Sequence, residues 1–374
     1  MKQYNATYQR LGDYIREVDV RNKDLKVTEL LGLSMTKQFR PSTSNIVGVD
    51  LSKYKVVKNN VFAFDAMSVI RVHKVPIAIN KGKNPIIVSP AYVTFECIDE
   101  DKLNPDYLMM WFSRSQFDRY ADFKSDASVR GGYNWEELCE TLIDLPPIAR
   151  QREIVSEYKM LTDRIRLNNS IISTLESTAQ ALYLKMFVDN IDKAHLPTGW
   201  RMGTIGEFGN IFTGKKDVNE SLSKGKYRFF SCSPEYFFSD EYVAEGPAIL
   251  IAGNGSYTGR VSFYDKCFDL YQRTYACIMK GNNDKLIYFL YYVMKTQFEP
   301  QYMGGSRGSS IPYIVKGDIE DFEFPFNEQV CESFSAKAKI ILDNIFIQEN
   351  ENNKLTELQS LLLAKMGCRK EEEV

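Results

Sequence analysis

One long stretch of this chain occurs twice, and it limits the possible folds more than any other feature. Residues 145–187 read LPPIARQREIVSEYKMLTDRIRLNNSIISTLESTAQALYLKMF, and residues 324–367 read FPFNEQVCESFSAKAKIILDNIFIQENENNKLTELQSLLLAKMG. Pro147 aligns with Pro325 and Gln151 with Gln329. Asp163 then aligns with Asp343, Ile165 with Ile345, Leu175 with Leu355, and Lys185-Met186 with Lys365-Met366. The offset grows from 178 to 180, so two extra residues are expected in the second copy. Each copy carries a proline near its first turn, where the missing N–H is no loss to a helix. In the first copy Ile154, Leu161, Asn168, Leu175 and Leu182 recur every seven residues, with Tyr158, Ile165, Ile172, Ala179 and Met186 four positions on. The second copy has Phe334, Ile341, Gln348, Leu355 and Leu362 in that frame, interleaved with Ala338, Ile345, Asn352, Gln359 and Met366. These are coiled-coil seams. Ile148 to Phe187 spans 40 residues, about 60 Å of helix, and only another long helix covers such a stripe. Asn168 and Gln348 fall at equivalent places, where a buried amide can fix register at some cost in stability.

A chain of 374 residues exceeds what one core ordinarily absorbs. Around the two helices lie segments 1–144 and 191–323, both rich in short β-type runs such as YKVVKNNVFAF, NPIIVSPAYVTFECI, PAILIAGNG and GRVSFYD. Their order is shared: a strand, an aromatic helix (PDYLMMWFSRSQFDRY or DKLIYFLYYVMKTQF), a polar stretch (SVRGGYNW or GGSRGSS), then the long helix. The expected fold is α+β, with two β-rich domains of similar fold separated by two long helices that pair as an antiparallel coiled coil. The segments are a domain at 1–144, a connector helix at 145–190, a domain at 191–323, a second connector helix at 324–367 and a charged tail at 368–374. His195-Leu196-Pro197-Thr198-Gly199-Trp200 links into the second domain.

Composition narrows the chemistry. Lys+Arg 47 against Asp+Glu 49 gives no polycation, so any nucleic-acid surface must be local. Seven cysteines, odd in number and without a C-x-x-C pair, suit reduced thiols in the cytoplasm, and no apolar run reaches the ~20 residues of a membrane span. His73 and His195 are the only histidines, which excludes most His-based metal clusters. Three catalytic patterns fail on context. Ser89-Pro90-Ala91-Tyr92 lacks the second proline of an amino-methyltransferase signature. Gly253-Asn254-Gly255 with Gly259 runs into another β segment rather than a helix, so a tight hairpin turn is expected. Pro105-Asp106 with Asp122-Phe123-Lys124 imitates a nuclease motif, but the residues between read as helix. A binding protein is favoured over an enzyme.

The helix repeat and its two β-rich neighbours resemble the DNA-specificity subunits of type I restriction-modification enzymes. The segment LPPIARQREIV…LNNSIISTLESTAQALYLKMF and its second copy carry the likeness, supported by LPTGWRMGTIGEFGNIFTGKK, VSPAYVTFECID and LYQRTYACIMK. The first domain departs from the pattern by starting at Tyr8-Gln9-Arg10-Leu11-Gly12-Asp13 without a Leu-Pro-x-Gly-Trp lead-in. The resemblance implies two target-recognition domains, each reading one half of a bipartite site in double-stranded DNA, with a spacing set by the coiled coil. It further implies that the chain is non-catalytic. Methyltransferase subunits (two of them) and a restriction-motor subunit are its implied partners, and these use S-adenosylmethionine, ATP and Mg²⁺. A related type II-like or orphan methylation system, or a self-contained nuclease or methyltransferase, is the alternative.

DNA contacts are then expected from loop cations, amides and tyrosines. The candidates in the first domain are Lys53, Lys55, Arg71, His73, Lys81, Lys83, Arg114, Lys124, Arg130 and Tyr133. Those in the second are Lys215, Lys216, Lys226, Arg228, Tyr257, Arg260, Gln272, Arg273 and Arg307. Gln272-Arg273 and Ser306-Arg307-Gly308 lead the list because they lie in or beside family-like runs.

Overall fold

The structure is a computed structural model that describes residues 8–42, 48–126, 133–189, 191–281, 284–303 and 312–366. It separates into two compact units, Met1–Leu167 with Glu351–Val374, and Asn168–Asn350. The expected tail at 368–374 lies outside the described residues.

In the first unit the central sheet has the order Ile15–Glu17, Val93–Cys97, Phe62–Phe64, Ile77–Ile79, antiparallel throughout. The run Phe62-Ala63-Phe64 is apolar at every position because both faces are covered. Phe62, Phe64 and Phe95 pack toward helix Pro105–Phe112, while Ala63 and Ala78 join Val57, Val88 and Leu33 of an outer layer. The second unit repeats this plan. Its central sheet runs Gly209–Thr213, Thr274–Met279, Ala248–Ala252, Val261–Tyr264, again antiparallel. Ile249, Ile251 and Cys277 face the helical side, whereas Ala248, Leu250 and Ala276 face Phe268 and Leu270 of an outer sheet. Each domain also closes with a two-stranded ribbon, Tyr8–Arg10 with Leu142–Asp144, or Arg201–Thr204 with Glu323–Phe326. The similar fold expected of the two domains is thus present in the central sheets and closing ribbons, while the outer layers differ: two strand pairs, Leu31–Leu33 with Phe39–Pro41 and Lys55–Val57 with Ile86–Val88, in the first and one four-stranded sheet in the second.

The aromatic helices are broken where single helices were expected. Asn104 caps the first and Pro105 opens it; the helix ends at Phe112, where the Ser113 hydroxyl bonds back to Met109 O, and a separate helix runs Ser115–Asp126. The other widens into a π turn at Met294–Phe298 before a last turn, Glu299–Tyr302.

The long helices span Ile148–Phe187 and Glu328–Lys365. In the first unit Gln359 Nε2 donates to Thr162 Oγ1 at 2.7 Å and Arg164 makes a two-pronged bond to Glu351, while Ile154 and Tyr158 share a core with Leu363 and Met366. In the second, Tyr183 and Phe187 pack on Phe334, and Ile172 and Leu175 share the core of Ile341 and Ile345. Within each unit one helix's numbering rises as its neighbour's falls, so the pairing is antiparallel. Asn168 is fully buried and Gln348 is half-buried.

One alignment is corrected. The helices begin at Ile148 and Glu328, so the offset is 180 from the start and no residues are inserted. Pro325 lies in a strand opposite Met202, and Gln329 is exposed. Asn327 instead occupies the place of Pro147 and caps the helix, accepting from Val330 N at 3.1 Å. Gln151 corresponds to Cys331: their N–H groups bond to Pro147 O and Asn327 O respectively. The buried Gln151 amide ties the helix start to Lys102 O, Pro146 O and Asn104 N.

Burial pushes the Cys97, Cys277 and Cys331 thiols up to about 12, whereas Cys232 and Cys267 are partly exposed. Alkylation of the native chain near pH 8, read by peptide mass spectrometry, is expected to modify Cys232 and Cys267 and spare the other three until the chain is denatured. Equal labelling of Cys277 and Cys232 would contradict this packing. Among the described residues no helix is long and apolar enough to cross a membrane.

Candidate nucleic-acid interface

In the second domain the antiparallel pairing of Ala252 with Thr274 brings two connections to one end of the central sheet: loop 253–260 and turn 271–273. Gly253 N donates to Arg273 O at 3.0 Å, and a side chain at Gly253 would put its Cβ 2.3 Å from that oxygen. Gly255 and Gly259 have φ of +82° and +85°, a left-handed backbone that favours glycine. Further bonds knit neighbouring segments to this end. Gly255 N donates to Pro312 O, Gln272 N to Lys216 O, Gln272 Nε2 to Asp217 Oδ2 at 3.0 Å, and Arg260 to Ser233 O at 2.6 Å. The Cys232 thiol lies 3.2 Å from Asn254 Oδ1 and 3.3 Å from Arg273 O. The result is a braced cluster of loops that exposes Lys215, Tyr257, Gln272 and Arg273. The stretch Gly253–Gly259 is the β-to-β turn expected of it.

The first domain has the same two connections. Loop 65–76 joins the same pair of strands, and turn 89–92 corresponds to 271–274: Tyr92 N bonds to Ser89 O as Thr274 N does to Tyr271 O. Arg71 and His73 are exposed on loop 65–76. His73 adopts a left-handed φ of +53°, and its Nδ1 lies 2.8 Å from Asp122 Oδ1 on helix Ser115–Asp126. Lys124 is exposed on the same helix, its ammonium 5.8 Å from the Tyr120 ring centre. Arg71, His73 and Lys124 therefore gather where loop meets helix. Asp106 pairs with Lys81 and Asp122 with His73, so the nuclease-like carboxylates have separate partners.

Other candidates are engaged elsewhere. Lys55 is buried, its Nζ 4.0 Å from Glu17 and 3.9 Å from Asp19. Arg114 is buried over Trp111, its guanidinium carbon 4.0 Å from the ring centre. Tyr133 is fully buried against Thr141, and burial drives its phenol well above the ordinary range. Lys216 binds the buried Asp269 at 2.7 Å and Glu241 at 3.0 Å, and the Asp269 bond raises its pKa. Arg228 stacks on Tyr236 and Tyr264 at 4.0 and 5.2 Å. Each of these five groups braces its own domain and does not present a free cation or ring, because an ion pair, a hydrogen bond or a stacked ring replaces water lost on burial. Lys53 is exposed beside Asp50, Lys81 bonds to Asn60 as well as Asp106, and Lys83 and Lys226 are exposed. Arg130 and Arg307 lie outside the described residues. Asn254, Cys232 and Asp217 were not singled out from the sequence as contacts, since only strand pairing brings them to the cluster.

Residues 197–361 match the family described as type I restriction modification DNA specificity domain. Over 171 residues the chain is 31% identical to the type I restriction enzyme EcoDI specificity subunit of Escherichia coli, covering 45% of this chain and 36% of that one. The chain thus spans little more than a third of that relative's length. A Methanocaldococcus jannaschii protein named for the type I restriction enzyme MjaX specificity subunit is 21% identical over 343 residues, 84% of this chain and 79% of that one. The solved structure of the type I restriction-modification system S subunit from M. genitalium superposes with a TM-score of 0.61 at 15% identity, covering 98% of this chain and 97% of that one. At that identity the likeness shows the fold.

Proposed function

We propose that this chain belongs to the type I restriction-modification DNA specificity family and is the DNA-reading subunit of such an enzyme. Each β-rich domain reads one half of a bipartite site, and the paired helices set the spacing. The carrying observation is the duplicated plan: two domains with one central-sheet strand order, each with a central-sheet loop (65–76 or 253–260) edged by exposed basic and aromatic groups. Neither domain is a polycation, with 20 basic and 19 acidic residues in 1–144 and 15 and 16 in 191–323. Phosphate attraction from this chain alone is therefore weak, and partners add to it. Methyltransferase subunits are those partners, and a restriction-motor subunit can join them. The helices keep an outward apolar stripe in addition to their mutual seam: Met160, Leu167 and Ile171 on one, Ile340, Ile347, Leu358 and Leu361 on the other, all exposed. Such a stripe suits helix-to-helix docking. S-adenosylmethionine, ATP and Mg²⁺ are used by the partners, not bound by this chain.

Reconstitution tests this. The chain with a methyltransferase subunit and S-adenosylmethionine should methylate DNA, and the chain alone should not. Modification by the chain alone with S-adenosylmethionine or Mg²⁺ would make it a self-contained enzyme, and absence of salt-dependent DNA binding even with partner would make it a scaffold. Within this reading, Arg273→Ala should weaken site methylation roughly ten- to a hundredfold. If Arg273 reads a base, one position of one half-site becomes degenerate; if it holds a phosphate, affinity falls evenly over all sequences. An unchanged profile would remove Arg273 from the interface.

A further inference from the structure

Both domains contain a lysine–carboxylate pair that grips the far end of the central-sheet loop. In the second domain Glu299 Oε2 accepts from Val261 N at 2.7 Å, where loop 253–260 returns to its strand. Lys295 Nζ donates to Val261 O at 3.2 Å and to both Glu299 oxygens at 2.9 and 2.7 Å. In the first domain Asp118 Oδ1 accepts from Val75 N at 3.0 Å, two residues before strand Ile77–Ile79 begins. Lys37 Nζ binds that same oxygen at 2.7 Å and also reaches Phe112 O. The two carboxylates keep only 13% and 14% of their surface exposed. Glu299 comes from the helical turn after the π-widened segment, and Asp118 from the helix that follows the first aromatic helix, so the elements correspond. The lysines do not: Lys295 sits one turn before its partner, whereas Lys37 enters from a hairpin turn in a left-handed conformation, φ +60°. Two domains have reached the same arrangement from different lysines.

A carboxylate accepting a backbone N–H makes a strong, directional bond, and partial burial shields it from water. Here each bond fixes where the loop ends, while the glycine contacts of 253–259 fix where it begins. We infer that Glu299 and Asp118 are positioning residues for DNA reading: each holds its own domain's loop in the reading conformation and leaves the other half-site untouched. This rests on the reading above, in which the loops face DNA.

The test uses the full chain assembled with a methyltransferase subunit, acting on a randomised bipartite DNA library. Lys295→Met/Glu299→Gln and Lys295→Met/Glu299→Leu have similar volume and no charge at the site, and differ in whether an acceptor remains for Val261 N–H. The Gln form should discriminate both half-sites within about threefold of the parent. The Leu form should lose discrimination at the second domain's half-site roughly tenfold or more and keep the other. Lys37→Met/Asp118→Asn and Lys37→Met/Asp118→Leu should give the mirror result. Equal reading by the Gln and Leu forms would overturn the inference, as would equal loss at both half-sites. Thermal melting checks folding, and if one Leu form does not fold the other domain's pair decides. If neither folds, the clamps serve stability and the inference fails. A parent assembly that methylates no bipartite site would instead sink the functional reading, so the two failures are separable.

Discussion

Phe334→Ala is expected to destabilise the chain by about 3–5 kcal/mol. Phe334 is fully buried on the second long helix, with ring centres 5.7 Å from Tyr183, 5.4 Å from Phe187, 6.3 Å from Phe289 and 5.6 Å from Tyr292. It therefore joins both long helices to the aromatic helix of the second domain, and no smaller side chain at that position reaches all four rings. Ile340→Ala, six residues on but 63% exposed, should change stability by less than about 0.5 kcal/mol. Denaturant unfolding of both variants checks the contrast, and a loss below about 1 kcal/mol for Phe334→Ala would show that this junction is not packed as described.

Gly253→Val should have the second large effect, concentrated on reading. Any Cβ there would stand 2.3 Å from Arg273 O and 2.8 Å from the Tyr275 ring. The loop must then part from turn 271–273, the segment that presents Gln272 and Arg273. Overpacking of this kind costs about 1–3 kcal/mol, and methylation at the corresponding half-site should collapse. Gly32→Ala meets nothing within 4 Å and serves as the silent control in the other domain. Methylation by Gly253→Val indistinguishable from the parent would separate the loop from DNA reading.

The long helices were legible because a seven-residue repeat carried from Ile154 to Met186 has few other solutions, and the helix Ile148–Phe187 encloses it. The kinship of the domains was legible as an order of elements. Their shared strand order needed the pairing itself, since residues as far apart as Ile15 and Cys97 make one sheet. Side-chain duty was the least legible. Lys55 and Lys53 are two residues apart, yet one is sealed beside Glu17 and Asp19 and the other stands in solvent. Pro325 and Gln329 looked like repeats of Pro147 and Gln151 because identical letters fell at a constant offset. The helix start shows that a different residue, Asn327, does the capping. The Lys37–Asp118 and Lys295–Glu299 pairs escaped for another reason: a carboxylate's backbone partner, here Val75 or Val261, leaves no trace in its own neighbourhood of the sequence.

Methylome sequencing of a host expressing this chain with the proposed methyltransferase subunits tests the central claim most directly, repeated after residues 191–323 are exchanged for the matching domain of one of the similar specificity subunits. The account predicts a methylated site of two short specified halves around an unspecified spacer, with the exchange rewriting one half and leaving the other half and the spacer length unchanged. A single uninterrupted motif, or an exchange that alters both halves together, would contradict it.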